Sequence, residues 1–99
     1  MSEVKKNIKL PPQALDFEEV VLGAIMIDKN AMAEVGDILS PDVFYKAAHK
    51  EIFKAIEFLF QNAEPIDIMT VSNQLQKNKK LKLCGGMHYL AELTNKVIS

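Results

Sequence analysis

Two histidines, one cysteine and one glycine pair are the residues of this chain whose chemistry could go beyond packing. His49 and His88 stand far apart, and neither has a Cys or a second His at the short spacing that holds a metal. The acids fall mostly at helix starts and on charged faces, and spacing alone places no acid–base pair in a cleft. Gly85-Gly86 admits two readings, a backbone nest for an anion or a tight turn into a last helix. A phosphate-binding loop needs more glycine around a Lys-Ser/Thr pair, or a preceding apolar strand; neither is present, so a turn is expected. Nucleophile elbow and Walker motif are both absent. No residue is therefore assigned a catalytic, cofactor-binding or metal-binding role. His49 lies on an apolar helical stripe and is read as a structural histidine satisfied by its neighbours, and His88, beside the glycine turn, as partly exposed.

The totals narrow the function classes further. Ninety-nine residues suit one domain, and a chain this size buries roughly 60–65% of its unfolded surface. A net charge of −1 and a pI near 6.1 argue against a domain that mainly grips a phosphate backbone. Cys84, the single cysteine, excludes an internal disulfide framework and suits a reducing compartment; it reads as a small, partly buried apolar residue. The first residues are charged but no apolar signal segment follows, so a cytosolic location is expected.

These residues need elements to position them, and the central one is the stretch Asp16 to Ile27. Asp16 is placed to act as N-cap with Glu19 completing a capping box, and Leu15 and Val20 to form a hydrophobic staple. From residue 20 to 27 everything but Gly23 is apolar, which predicts a helix covered on every side. It is too short for a bilayer, which needs ~20 apolar residues. Gly23 then marks a close approach of another element to the helix backbone.

Before it, residues 1–10 read as a flexible arm, locally basic through Lys5, Lys6 and Lys9, and Pro11-Pro12 lead in extended. After it come a short helix through Met32 and Val35, stopped at Gly36, and a brief turn begun by Ser40-Pro41-Asp42. The clearest amphipathic helix runs from about Ala47 to Asn62, with His49, Ile52, Phe53, Ile56, Leu59, Phe60 and Ala63 as its stripe. Asp67 caps a fourth helix whose stripe is Ile68, Val71 and Leu75, with Ile66 and Val71 as its staple. Lys77 to Lys82 form a basic, solvated connector, and the last helix carries Tyr89, Leu90, Leu93 and Val97. No segment alternates as a strand would. The fold class is all-α, a compact orthogonal bundle of about five to six short helices around a central apolar helix.

Phe58 breaks the pattern by falling on the charged side of the Ala47–Asn62 helix. With Leu59 and Phe60 it widens the apolar stripe, and widened aromatic stripes are where partner surfaces place their anchors. Phe58, Leu59 and Phe60 are therefore the candidate interface residues, while Asp16, Gly23, His49, Asp67, Gly85 and Gly86 have structural roles.

Four blocks of residues, in order, carry a resemblance. Pro11-Pro12 with Leu15-Asp16-Phe17-Glu18 and Val21-Leu22-Gly23, then Asp42-Val43-Phe44-Tyr45 with His49 and Ile52-Phe53, then Pro65-Ile66-Asp67 with Thr70, and Gly85-Gly86 with Tyr89 to Leu93 look like the amino-terminal domain of DnaB-type bacterial replicative helicases. The likeness spans about residues 11 to 95. Phe17 departs from it, standing where alanine is expected, and Phe58 and Phe60 stand where polar residues are expected.

The resemblance implies a non-catalytic collar domain, residues 11–99, of a hexameric DNA helicase. Its heads would pair as a trimer of dimers and dock primase, and helicase loaders would act on the same hexamer. The ATPase domain of such a protein is absent from this chain, so ATP, Mg²⁺ and the main grip on DNA would belong to the parent's carboxy-terminal part. No cofactor is expected in this domain, no membrane is involved, and the location would be the bacterial cytoplasm. Two other readings compete: the helicase-binding carboxy-terminal domain of a primase, and a free-standing helical adaptor or sensor.

Overall fold

A proline starts the first helix. The computed structural model describes residues 12–98, and α1 covers Pro12–Ile27. A first-turn proline loses no intrahelical bond, because the first amides of a helix have no partner, and its fixed φ suits the helix. Asp16 therefore lies in the second turn and is not the N-cap expected of it, so the capping box with Glu19 does not form. The Leu15–Val20 staple fails with it, since Val20 is exposed. The expected arm, residues 1–10, and Pro11 lie outside the described residues.

Four more α-helices follow: α2 (Ala31–Val35), α3 (Ala47–Gln61), α4 (Ile68–Lys77) and α5 (Gly86–Ile98), with a 3₁₀ turn at Pro41–Val43 before α3. There is no strand among the described residues. The all-α bundle expected from periodicity is the fold observed. α1 packs along α5 and touches α2 and α3, while α4 packs on α3 and α5.

α3 supplies the deepest face. His49, Ile52, Phe53, Ile56 and Leu59 are buried as the three-and-four spacing requires, joined by Ala48 and Ala55. Phe53 stacks obliquely on Phe44 at 5.2 Å between ring centres. Leu22, Val71, Leu75, Leu90 and Leu93 close the core, each fully buried side chain contributing roughly 1.5–3 kcal/mol. Phe60 does not belong to this face, and Ala63 lies beyond the helix in left-handed backbone (φ 56°). Both sit where the helix runs past the end of the core. α1 is likewise not sealed all round: Leu22, Ile25 and Met26 are buried, but Val20 and Ile27 face outward.

The caps repeat the contrast between sequence signal and outcome. Asp67 begins α4 as expected, its carboxylate accepting from Thr70 N at 2.8 Å while its own amide donates to Thr70 Oγ1 at 2.9 Å. Ile66 is partly buried against the core, of which Val71 is a member. Ser40 precedes the 3₁₀ turn without a side-chain cap bond, and Pro41 opens the turn. The basic connector is less solvated than its composition suggests, because Lys77 closes α4 and Leu81 turns in onto the core.

Candidate functional site

Deepest among the polar groups is His49, fully buried on α3. A buried imidazole must bond at both nitrogens or forfeit its hydration. Nδ1 lies 2.7 Å from Glu18 Oε1 on α1, and Nε2 lies 2.7 Å from the Tyr89 hydroxyl on α5. A carboxylate only accepts, so Nδ1 carries a hydrogen, and in the neutral ring Nε2 accepts from the Tyr89 O–H. The two rings lie nearly parallel, 11° apart in plane with centres 6.0 Å apart.

Neighbouring groups extend this link into a network. Glu18 Oε2 accepts from the Tyr45 amide, and Glu18 Oε1 lies 3.4 Å from the Lys46 amide, so one carboxylate also anchors the lead into α3. Tyr89 Oη lies 3.5 Å from Glu19 Oε2, and Lys46 Nζ sits 4.8 Å from the centre of the Tyr89 ring. Near the end of α5, Lys96 pairs with Glu19 Oε1 and, at 3.2 Å, with Asp16 Oδ1. Burial, followed by the charge of Glu19, holds the Tyr89 phenol above its ordinary range. Hydrogen bonds to Glu19 and then Asp16 raise the Lys96 ammonium.

The local sequence explains why these groups meet. Gly23 lets α5 come close: a β-carbon there would lie 2.1 Å from the Leu93 carbonyl oxygen and 2.9 Å from Val97 Cγ2. That contact fixes the α1–α5 register in which Lys96 faces Asp16 and Glu19. Gly85, at φ +89°, makes the turn into α5, and a β-carbon on it would lie 2.8 Å from Tyr89 Cβ. Gly86 shares the left-handed turn at φ +74°. The glycine pair thus forms the expected turn and also makes room for Tyr89.

Chemically, the arrangement is a clamp across α1, α3 and α5. Both oxygens of Glu18 and both nitrogens of His49 face protein partners, so the groups best suited to proton transfer are bonded to one another. His88 lies apart on the exposed side of α5, 3.0 Å from Glu92. Cys84 is buried with its thiol 3.5 Å from the Ala48 carbonyl oxygen, and burial raises its pKa to about 11, which suits the packing role expected of it. Among the described residues no group of three or more His, Cys, Asp or Glu could hold a metal ion, and no helix is long and apolar enough to cross a membrane.

Sequence spacing had singled out His49 but not its partners. Those partners, Glu18 and Tyr89, are far from it along the chain; the available signal was a polar ring on an apolar stripe, which demands partners without naming them. The candidate interface trio divides. Leu59 is buried in the core and so cannot face a partner, whereas Phe58 is 46% exposed and Phe60 43%.

Set beside known proteins, the chain has clear relatives. A family model described as "DnaB-like helicase N terminal domain" matches residues 10–99. The chain is 39% identical over 97 residues to the replicative DNA helicase DnaB of Geobacillus stearothermophilus, covering 98% of this chain and 21% of that protein. With the corresponding helicase of Rhodothermus marinus it shares 40% identity over 91 residues, covering 92% of this chain and 10% of that protein. Its fold is similar to the crystal structure of the N-terminal domain of DnaB helicase from Mycobacterium tuberculosis, with a TM-score of 0.83 and 39% identity over 89% of this chain and 61% of that one. The chain spans about a fifth or less of the two helicases.

Proposed function

This chain belongs to the DnaB-like helicase N-terminal domain family, and on that premise we propose that it is the non-catalytic collar of a hexameric replicative helicase, where it mediates subunit assembly and docks primase. The parent protein is an ATP-dependent 5′–3′ DNA helicase working at the replication fork of a bacterial cytoplasm. ATP, Mg²⁺ and most DNA contacts belong to its carboxy-terminal part, and a loader protein acts on the same hexamer. One observation supports this assignment most directly. The titratable groups that the bundle gathers, Glu18, His49, Tyr89, Glu19 and Lys96, join helices to one another, which suits an architectural part. Phe58 and Phe60 supply exposed aromatics on the outer side of α3 for contact with another head or with primase.

The test is a binding experiment with the isolated carboxy-terminal helicase-binding domain of a primase from a related bacterium. Co-elution of the two, with no ATP turnover that follows the collar protein through two columns, is the expected result. ATP hydrolysis that tracks the protein peak above a mock preparation, or failure to bind any primase domain tried, would count against the assignment.

A further inference from the structure

Charge is divided unevenly along this chain. Residues 68–91 hold four lysines, Lys77, Lys79, Lys80 and Lys82, and no acid. Residues 28–37 and 55–67 together hold six acids, Asp28, Glu34, Asp37, Glu57, Glu64 and Asp67, against one lysine, Lys29. The net charge of −1 conceals this division, and the fold carries the two sets to opposite ends of α3. At its amino-terminal end the Cys84 thiol meets the Ala48 carbonyl, which places the turn between α4 and α5 there. At its carboxy-terminal end Glu57, Phe60 and Gln61 share a hollow of about 180 Å³ with Met32 and Asp37. Ala48 and Phe60 stand about 18 Å apart at the rise of an α-helix.

The lysines are presented by a fixed backbone. Lys79 takes the left-handed conformation (φ 60°) at which glycine is usual, its amide donating to the Gln76 carbonyl at 3.0 Å. The Lys80 amide reaches back to the Leu75 carbonyl at 2.9 Å, and the Gly86 amide donates to the Leu81 carbonyl at 2.9 Å, so the turn stays bonded up to α5. Lys77 complements the carboxy-terminal dipole of α4, but Lys79, Lys80 and Lys82 lie past that turn. None of the four has an ion-pair partner among the described residues. Leu83, 58% exposed, follows Lys82 on the same turn.

We infer that this turn docks on a second copy of the chain, a lysine of one copy entering the hollow between α2 and the end of α3 on the other. The hollow has the chemistry of a lysine seat. Phe60, half exposed, offers its ring face to the apolar stem and to the ammonium. Asp37 and Glu57 share the hollow and have no ion-pair partner among the described residues. Ile38, 74% exposed next to Asp37, gives Leu83 of the other copy an apolar contact. The two ends are unlike, so the contact is heterologous, and each copy carries one surface of each kind. A nucleic acid would match the lysines alone, whereas a second copy matches the lysines and the leucine together. The inference deepens the subunit-assembly reading above and rests on it.

The experiment uses two charge-reversed forms of the intact chain, one with Lys79→Glu and Lys82→Glu, the other with Asp37→Lys and Glu57→Lys. Sedimentation velocity over a concentration series follows each form and the wild type. Wild-type chain should associate at low salt and far less at ~1 M salt, where charges are screened beyond about 3 Å. Each reversed form alone should associate roughly ten-fold more weakly, with the helical circular dichroism unchanged. An equimolar mixture of the two should recover the wild-type strength, because each supplies the sign that the other now needs. Wild-type association that ignores salt, a mixture that stays apart, or wild-type chain that is monomeric at every concentration would overturn the inference. The assembly reading fails separately: if Phe58→Glu abolishes association and the reversed forms do not, the heads assemble through another surface and only this inference falls. If the wild-type chain stays monomeric but binds a single-stranded oligothymidylate through Lys79 and Lys82, the turn's partner is a nucleic acid and the inference is wrong.

Discussion

Gly23 of α1 lies so close to Leu93 of α5 that the site of its missing β-carbon is 2.1 Å from the leucine carbonyl oxygen. Alanine in place of glycine usually favours a helix interior by about 1 kcal/mol. Here the sign reverses, because the obstacle is backbone and cannot rotate away. Gly23→Ala should destabilise the domain in urea melts, and Gly23→Leu should cost at least about 1–3 kcal/mol as overpacking. A neutral Gly23→Ala would mean that the helices stand further apart in solution.

Asp67→Ala gives the comparison for scale. It removes a cap at an exposed helix start whose reciprocal partner is Thr70, so the loss should be about 1 kcal/mol and smaller than for Gly23→Leu. The same urea melts, run side by side, check the ranking.

The clamp predicts a different order. Tyr89→Phe deletes only the hydroxyl and leaves His49 Nε2 buried without a partner, which costs roughly 1–3 kcal/mol. His49→Ala should cost more, because it opens a cavity in the core and strips Glu18 of its histidine at one stroke. Thermal melts of both variants at neutral pH test this, and the Tyr89→Phe variant should keep the wild-type far-ultraviolet circular dichroism.

Alkali should unfold the domain early. Cys84, Tyr89 and Lys96 all hold their protons more tightly in the folded state, so their contribution is intact below the unfolded pKa values and fades as pH rises above them. For Cys84 the window opens near 9.0 and closes near 11, worth roughly 2 kcal/mol by its upper end. The melting midpoint should thus be level through neutral pH and decline from about pH 9. In Cys84→Ala the decline should begin nearer pH 10, where Tyr89 starts to ionise in the unfolded chain. A curve that stays flat to pH 11 would contradict the burial of these groups.

Phe58→Glu addresses assembly. The side chain is about half exposed on the outer side of α3, so the charge should leave the melting midpoint nearly unchanged while weakening association with other heads or with primase. Sedimentation velocity over a concentration series, beside a thermal melt, separates the two. A large fall in stability with association intact would place Phe58 in the core.

What could be read from the sequence was mostly what depends on neighbours along the chain. The apolar period of residues 49–59 located the buried face of α3, and Asp67, standing just before the Ile68, Val71 and Leu75 stripe, located a cap that the structure forms. Gly23 was legible because a glycine in an apolar helix has few uses other than close approach. Asp16 was misread because an aspartate before an apolar run looks the same whether it starts a helix or rides in its second turn; Pro12, the stronger start signal, stood just upstream. The apolar run after Val20 suggested a helix sealed all round, but how many faces find partners depends on the size of the whole bundle. Tertiary pairings were invisible for the same reason. Nothing near Glu18 in the chain points to His49 or Tyr89, and Leu59 differs from Phe58 and Phe60 only by about 100° of projection around the helix.

The pairing of α1 with α5 also sets an order of events during synthesis. α1 is complete at Ile27, yet its main partner begins only at Gly86 and ends at Ile98. At translation rates of about 5–20 residues per second, the first helix waits several seconds with Leu22, Ile25 and Met26 uncovered. Throughout that interval the nascent chain offers chaperones an apolar helix with a bare glycine groove. The domain can close only once the last helix has cleared the ribosomal tunnel, and a stall anywhere before Leu93 leaves the first helix without its cover.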